Sequence, residues 1–175
     1  MLALALLLAA DPAEWFKPED AERLFYRETN MVRTEEGLDT LAYDSLLSKA
    51  ARAHSEEMAR LDYLSHTSPV KENRTVKMRV AKAGVDTVNH WIGENICLLC
   101  GYGKPYMLDD LSDPFMRFGY LSMAKDAIEV LMGSPGHRAN ILSKNYTRLG
   151  VGVAVRWEKD KKRLWIYFTQ VFWGE

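Results

Sequence analysis

Cysteine is scarce in this sequence, and neither sign of charge prevails. The chain has two Cys among 175 residues, and its 23 Lys and Arg against 24 Asp and Glu give a formal net charge of −1. Without a basic excess no broad basic surface is expected, which argues against nucleic acid as a partner. A single domain of this length can bury roughly 70% of its unfolded surface, so the fold needs no disulfide staple.

Several catalytic motifs are also missing. The segment His54-Ser-Glu56-Glu57-Met58 departs from the zincin motif H-E-x-x-H, because the glutamate does not adjoin the histidine and Met58 holds the second ligand position. Gly101-Tyr-Gly103 lacks the third glycine of a dinucleotide-binding loop. The sequence contains neither a phosphate-cradling loop nor a Gly-x-Ser-x-Gly nucleophile elbow, so these enzyme classes are excluded.

The longest apolar run is the segment MLALALLLAA at residues 1–10. It is too short to span a bilayer, which takes about 20 residues, and no transmembrane anchor is predicted. It has the character of the apolar part of a secretory signal ending in Ala9 and Ala10, although no Lys or Arg precedes it; a buried first helix is the alternative. We therefore expect a signal-peptide remnant at 1–10, one domain at 11–175, and a secreted, periplasmic or cell-envelope location.

The two cysteines are close in sequence, as Cys97-Leu-Leu-Cys100. In an extended strand, residues three apart lie about 10 Å from each other, whereas a disulfide needs Cα atoms within roughly 7 Å. A bridge would therefore require a turn at Leu98-Leu99. A thioredoxin-like role would need a βαβ context that the sequence does not indicate. A disulfide and two buried thiols both remain open.

Helical periodicity occupies much of the first 133 residues. The pattern predicts helices over 18–35, from a cap at Asp44 to about Leu61, over 73–83, and from a cap at Ser122 to Gly133. Ser134-Pro135 opens a short further helical turn that holds His137. His54 falls on the buried face of the second helix, where we interpret it as a core histidine with a hydrogen-bond partner.

Strand patterns follow at two places. A strand is predicted near 91–98, and 149–173 is predicted to be a β-hairpin whose polar turn spans 158–162. The intervening 101–119 stretch is rich in Gly, Pro, Asp and aromatics and is expected to be an irregular loop that roofs a cleft or covers the core. Helices first and a hairpin last predict an α+β domain: a three-layer α-β-α sandwich with a central antiparallel sheet.

Three proton-binding side chains lie beside turn-forming residues: His66 in YLSHTSP, Glu94 in GEN and His137 in SPGHRANIL. Each has an ordinary explanation, since either histidine could face solvent and Glu94 could bind a backbone N–H. If the three converge, however, two imidazoles and a carboxylate could bind a divalent metal or move a proton.

These segments resemble the CAP superfamily of cysteine-rich secretory, antigen-5 and plant pathogenesis-related proteins, and more closely its bacterial, SCP-like branch. The matching pieces, in order, are LDTLAYDSLLSKAARAHSEEMARLDYLSHTSP, GEN, SPGHRANIL and the hairpin LGVGVAV…YFTQVFWG. The resemblance covers about residues 25–175. It implies the same α-β-α sandwich and a cleft that carries two histidines and up to two glutamates.

Carried over residue by residue, the resemblance makes His66, Glu94 and His137 the ligand-binding set, with His66 and His137 as metal ligands. Many eukaryotic members of the superfamily have a second glutamate on the helix before the second histidine. Ser134 falls at that position here, and Glu129 lies about one turn earlier. The cleft would then hold zinc or another divalent cation weakly, leaving positions for water.

The resemblance favours a non-enzymatic binding module that takes a sterol, a fatty acid or a cell-surface partner. The competing hypothesis is a metal-assisted, protease-like hydrolase in which Glu94 acts as general base and His137 assists. A third hypothesis is an interaction role in the cell envelope with a vestigial cleft.

Overall fold

The computed structural model describes residues 16–102, 114–161 and 163–175. The expected signal remnant at 1–10 lies outside these residues, as do the aromatic side chains of 101–119 that were predicted to roof a cleft or cover the core.

Five α-helices and four strands make up the described fold. The helices are α1 (Pro18–Glu35), α2 (Ser45–Leu61), α3 (Val76–Lys82), α4 (Pro114–Gly133) and α5 (Pro135–Ile141). The strands are β1 (Ala42–Tyr43), β2 (Trp91–Tyr102), β3 (Arg148–Glu158) and β4 (Arg163–Gly174). Single turns of 3₁₀-helix occur at Lys71–Asn73, before α3, and at Lys159–Lys161, in the tip of the β3–β4 hairpin.

The four strands form one sheet in the order β1-β3-β4-β2. Strands β3 and β4 are the predicted hairpin and pair antiparallel, with Val153 opposite Phe168. Strand β2 pairs antiparallel with β4 and places Glu94 opposite Val171. The two-residue β1, which the sequence did not reveal, runs parallel to β3. Strand β2 is therefore an edge strand. The edge that does not pair with β4 can be contacted by helices and loops.

Helices cover both faces of this sheet, which confirms the predicted α-β-α sandwich. Strand β4 alternates between the two layers. Its Ile166 and Phe168 belong to the core beneath α1 and α4, whereas Tyr167 and Val171 pack on the side of α2. Because both faces are buried, this strand is apolar on both sides, unlike a strand with one face in water.

Local capping explains where α2 begins. The carboxylate of Asp44 accepts hydrogen bonds from the backbone N–H groups of Leu46 and Leu47, at 2.9 and 3.0 Å. A carboxylate in this position satisfies donors that the first helical turn leaves open. The predicted cap at Asp44 is confirmed. The cap therefore fixes the residue at which α2 begins, and His66 lies in the loop that follows this helix.

Two predicted helix starts were wrong. Helix α3 begins at Val76 rather than at Asn73, because the 3₁₀ turn occupies Lys71–Asn73 and the hydroxyl of Thr75 caps the helix by accepting from Met78 N–H at 3.3 Å. Helix α4 begins at Pro114, so Ser122 lies within it and is not a cap. A proline fits the first turn of a helix, since its missing N–H is not needed there.

Strand β2 also settles the relation of the two cysteines. It runs without interruption from Trp91 to Tyr102, so no turn occurs at Leu98-Leu99. Positions three apart on a strand face opposite sides of the sheet, and both thiols are free. Cys97 is buried in the core below α4, and this burial raises its pKa to about 11.

Two glycines of β3 allow α2 to lie directly on the sheet. A Cβ added at Gly150 would collide with the backbone of Leu47 and Ser48, and one at Gly152 with the backbone of Ala51 and Arg52. The Ser48 hydroxyl also accepts from Val151 N–H at 3.0 Å. The close approach leaves no room for a side chain, and the helix that leads to His66 is seated on these glycines.

Replacing Gly152 by valine should lower the free energy of unfolding by at least about 2 kcal/mol, since overpacking against a backbone cannot be relieved by a rotamer change. Urea denaturation monitored by circular dichroism measures this. Gly133→Ala is the matched control: nothing lies within 4 Å of the added Cβ, and the change should be neutral or stabilising by up to about 1 kcal/mol. Equal stability of Gly152→Val and wild type would contradict the packing argument.

Candidate functional site

The three residues singled out in the sequence meet at the outer strand β2. His66 comes from the loop after α2, Glu94 from β2 itself and His137 from the first turns of α5. The ring centroids of His66 and His137 are 6.3 Å apart, and the ring planes are inclined by 51°. We call this arrangement the His66–Glu94–His137 cleft. Segments separated by more than 70 residues of chain thus form one site.

The carboxylate of Glu94 orients the ring of His66. Glu94 Oε1 lies 2.9 Å from His66 Nδ1. The Glu94 side chain is only 3% exposed, whereas that of His66 is 53% exposed. The buried carboxylate of Glu94 therefore orients a His66 ring that remains accessible to solvent.

Arg79 neutralises the buried carboxylate. Its Nη2 donates to Glu94 Oε2 at 2.5 Å, and its own side chain is 4% exposed. Burial of a carboxylate is costly unless a counter-charge and hydrogen bonds compensate for the lost water. Arg79 supplies both, so Glu94 can occupy an otherwise apolar strand.

Two asparagines hold α5 against β2. Asn95 Nδ2 donates to the His137 carbonyl at 3.1 Å and to Gln170 Oε1 at 3.0 Å. Asn140 Nδ2 donates to the Glu94 carbonyl at 3.2 Å and to Asn95 Oδ1 at 2.8 Å. The backbones of Glu94 and His137 are thereby tied to each other. This network fixes the side of the cleft that carries the second histidine.

The packing of Tyr146 and Asn140 against β2 requires a glycine at position 93. A Cβ at this position would collide with the hydroxyl of Tyr146 and come within 3.1 Å of Asn140 Oδ1. The segment Gly93-Glu94-Asn95 is therefore one structural unit: the glycine admits Tyr146, the glutamate holds His66, and the asparagine holds α5.

His54 lies close to the cleft but is not part of its accessible surface. The residue is 1% exposed, and its Nε2 lies 3.1 Å from the Ser65 carbonyl. A carbonyl only accepts, so Nε2 carries the proton and Nδ1 does not. The prediction of a core histidine with a hydrogen-bond partner is confirmed. The bond also anchors the residue that precedes His66.

Both His54 and His137 are held towards their neutral forms. Burial lowers the pKa of His54; Glu94 opposes this effect and Arg79 adds to it. Burial likewise lowers the pKa of His137, and the nearby imidazole of His66 lowers it further. The imidazole of His137 is therefore a lone-pair donor at neutral pH.

The two candidates for a second family glutamate do not add a carboxylate to the cleft. Ser134 has no carboxylate, and it is the residue that directly precedes α5. Glu129 lines a groove of about 350 Å³ between α1 and α4, together with Met31 and Lys125. Across residues 16–102, 114–161 and 163–175, no group of three or more His, Cys, Asp or Glu side chains is arranged to hold a metal ion.

Sequence reasoning missed the residues that support the cleft. Asn95 and Asn140 lie inside the motifs GEN and SPGHRANIL, so the motifs themselves pointed to them. Their hydrogen-bond partners, however, are known only from the three-dimensional structure. Arg79 stands within the predicted helix over 73–83, which carries no recognisable motif. Its only signal was indirect: a glutamate in an apolar strand needs a partner, and arginine is the usual one for a buried carboxylate.

The fold and the cleft define a small α-β-α domain of the SCP-like class. The model of the cysteine-rich secretory protein family, CAP, matches residues 26–172. The chain therefore belongs to the CAP superfamily.

Two curated relatives come from Bacillus subtilis. The uncharacterised membrane protein YlbC is 30% identical over 165 residues, which is 94% of this chain and 38% of YlbC. The uncharacterised protein YkwD is 32% identical over 124 residues, which is 71% of this chain and 38% of YkwD. The chain thus spans well under half the length of these relatives.

Solved structures of bacterial proteins share the fold. An extracellular SCP-domain protein from Bacillus anthracis is 25% identical, with a TM-score of 0.64 over 95% of this chain and 44% of that one. An outer surface protein from Borrelia burgdorferi is 14% identical, with a TM-score of 0.60 over 91% of this chain and 96% of that one. These likenesses confirm the fold and the bacterial branch predicted from the motifs.

Within the described residues, no helix combines the length and the apolar character needed to cross a membrane.

The lowered pKa values of His54 and His137 predict a loss of stability in mild acid. Imidazoles of the unfolded chain take up protons near about pH 6.5, whereas these two stay neutral to lower pH in the folded state. The unfolded state then binds more protons, so the free energy of unfolding falls as pH decreases, by at most about 1.4 kcal/mol per pH unit for each group.

Urea denaturation at several pH values between about 7.5 and 5 measures this slope, and unperturbed carboxylates titrate mostly below that window. His54→Gln should give a shallower slope than wild type. Identical slopes would show that His54 is not held in its neutral form.

Proposed function

We propose that the protein is an exported, non-enzymatic binding module whose cleft holds a divalent cation between His66 and His137. The observation that carries this proposal is the 6.3 Å separation of the two ring centroids at an accessible site. Neutral imidazole is a good ligand for zinc, with a Zn–N distance of about 2.0–2.1 Å. Two rings this close can approach a common ion with small rotations.

The surrounding contacts fit such a role. Metal-binding histidines commonly donate their second ring N–H to a carboxylate, which sets the orientation of the ring. Glu94 stands in this relation to His66, at 2.9 Å from Nδ1, and Arg79 holds the other carboxylate oxygen. Glu94 is therefore an orienting group in this proposal, and the imidazoles of His66 and His137 are the ligands. A divalent ion there would supply a Lewis acid with open positions for water or for a ligand atom.

The contacts favour binding over hydrolysis. A general base must be free to accept a proton from water, but both oxygens of Glu94 already have partners, namely His66 and Arg79. With its carboxylate committed in this way, the cleft is better suited to hold a ligand than to activate one.

The organic ligand or partner is left open by this proposal. A sterol, a fatty acid or a cell-surface partner is expected from the family resemblance. The groove between α1 and α4 combines apolar and charged side chains, namely Met31, Val32, Ile128 and Met132 with Glu28, Glu35, Glu129 and Lys125. A second cavity of about 310 Å³ carries Arg33, Asp39 and Lys144. The charges of the second cavity give no support to an apolar ligand there, and the mixed lining of the groove favours no single class of ligand.

Zinc should bind the wild-type protein and not the double variant His66→Ala/His137→Ala. Isothermal titration calorimetry at about pH 7.5 measures the heats, and affinity should fall below about pH 6 because protons compete for the imidazoles. His90→Gln is the matched control, since His90 packs on Trp173 with ring centroids 4.4 Å apart and is not one of the cleft residues. Equal heats from wild type and the double variant would end the proposal of a metal site.

Export is supported by the apolar residues 1–10 and by the extracellular relative from Bacillus anthracis. Cells that express the full sequence should accumulate it outside the cytoplasm, and deletion of residues 1–10 should retain it inside. Fractionation with immunoblotting measures the distribution. Equal distribution of the two forms would remove the assigned role of this segment.

A further inference from the structure

Arg79 contacts both the backbone of His66 and the carboxylate that orients its ring. Its Nη2 donates to Glu94 Oε2 at 2.5 Å, and its Nη1 donates to the Asn73 carbonyl at 2.7 Å. Both terminal nitrogens also approach the carbonyl of His66 itself, at 3.4 and 3.3 Å. One buried guanidinium therefore binds the backbone of His66 and the carboxylate that binds its ring.

These contacts divide the two oxygens of Glu94 between two partners. Arginine is always protonated and can only donate, so Oε2 is committed to Arg79 as an acceptor. Oε1 faces His66 Nδ1 at 2.9 Å. Both carboxylate oxygens are acceptors, so Nδ1 must be the donor in this contact. The neutral ring of His66 is then the Nδ1–H tautomer, and its lone pair lies on Nε2.

The remaining nitrogen is the one available to a ligand. Among the described residues, no hydrogen bond of His66 involves Nε2, and the His66 side chain is 53% exposed. Without Arg79, the carboxylate of Glu94 would be free to rotate and to compete for an incoming cation. The contact with Arg79 thus holds Glu94 in the orientation that bonds the His66 ring.

We propose that Arg79 is a positioning residue of the cleft, which fixes His66 as the Nδ1–H tautomer and confines Glu94 to orienting that ring. The consequence for metal affinity rests on the proposed function; the tautomer itself does not, because it is a property of the metal-free protein.

Glu94→Gln provides the sharpest test. If Arg79 continues to hold the oxygen at the Oε2 position, the new amide must present its NH₂ group to His66 Nδ1. Nδ1 then becomes an acceptor, and His66 switches to the Nε2–H tautomer. If Arg79 does not control this orientation, the amide can turn its oxygen to Nδ1–H and the original tautomer persists.

Long-range ¹H–¹⁵N NMR spectra of the metal-free, histidine-labelled protein report the tautomer directly. Measurement at about pH 8.5 lies well above the ordinary imidazole pKa of about 6.5. Wild type should show a protonated Nδ1 and an unprotonated Nε2 at His66, and Glu94→Gln should show the reverse. Wild type with a protonated Nε2, or a Glu94→Gln variant that keeps a protonated Nδ1 at His66, would overturn the proposal.

A second pair of variants separates positioning from stability. Arg79→Met/Glu94→Leu removes both members of the buried pair, an exchange that often leaves stability unchanged. Arg74→Met, at an exposed arginine of the same segment, is the matched control. The double variant should keep the wild-type circular dichroism spectrum but bind zinc about 10- to 100-fold more weakly, and the control should be unchanged.

Unchanged zinc affinity in Arg79→Met/Glu94→Leu would contradict the positioning role. Failure of the wild-type protein to bind zinc would instead remove the proposed function and leave the tautomer result standing.

Discussion

In the interior beside the cleft, the guanidinium of Arg79 meets the carboxylate of Glu94 at 2.5 Å. Neither side chain could occupy this position alone, because an unpaired buried charge costs several kcal/mol. The pair places a negative group inside an apolar strand and makes it the anchor of an exposed histidine. The loop after α2, helix α3 and strand β2 are all joined through this one contact and the hydrogen bonds that accompany it.

A network of hydrogen-bonded amide side chains extends from the cleft through the sheet. Gln170, on the central strand β4, donates to the hydroxyl of Thr29 at 2.7 Å and accepts from Asn95. Asn95 in turn holds the His137 carbonyl and Asn140. A fully satisfied buried network of this kind rigidifies its surroundings. The position of His137 is therefore coupled to α1 and β4 on the core side, whereas His66 is coupled to α2 and α3 on the other.

Secondary structure was predicted best where one period of apolar residues extends over a long segment. Helix α2 and the β3–β4 hairpin were predicted correctly because Asp44 provides a cap and because the apolar alternation is sustained. The two-residue β1 has no period of its own and exists only because β3 offers a parallel edge. The start of α4 was misjudged because residues 114–119, which are helical, lie within the stretch 101–119 that has the composition of a loop.

The cleft shows the same division between local and tertiary information. The turn residues around His66, Glu94 and His137 marked them as candidates, and their convergence follows from the packing of the loop after α2 and of α5 beside β2. The partner of Glu94 could be anticipated only as a class, since a buried carboxylate needs a donor. That the donor is Arg79 depends on α3 packing beside β2, which no sequence period encodes.

The electrostatics of the cleft follow from how its one carboxylate is used. A cleft with two free glutamates would attract a cation by charge. Here Glu94 is neutralised by Arg79, Ser134 carries no charge, and Glu129 lines the groove between α1 and α4. If a cation binds as proposed, its attraction would come from the lone pairs of His66 and His137, which protons can also occupy. Such a pair of imidazoles would favour soft or borderline ions over calcium or magnesium, which prefer oxygen ligands. Most of the charge of such an ion would then have to be balanced by a further ligand.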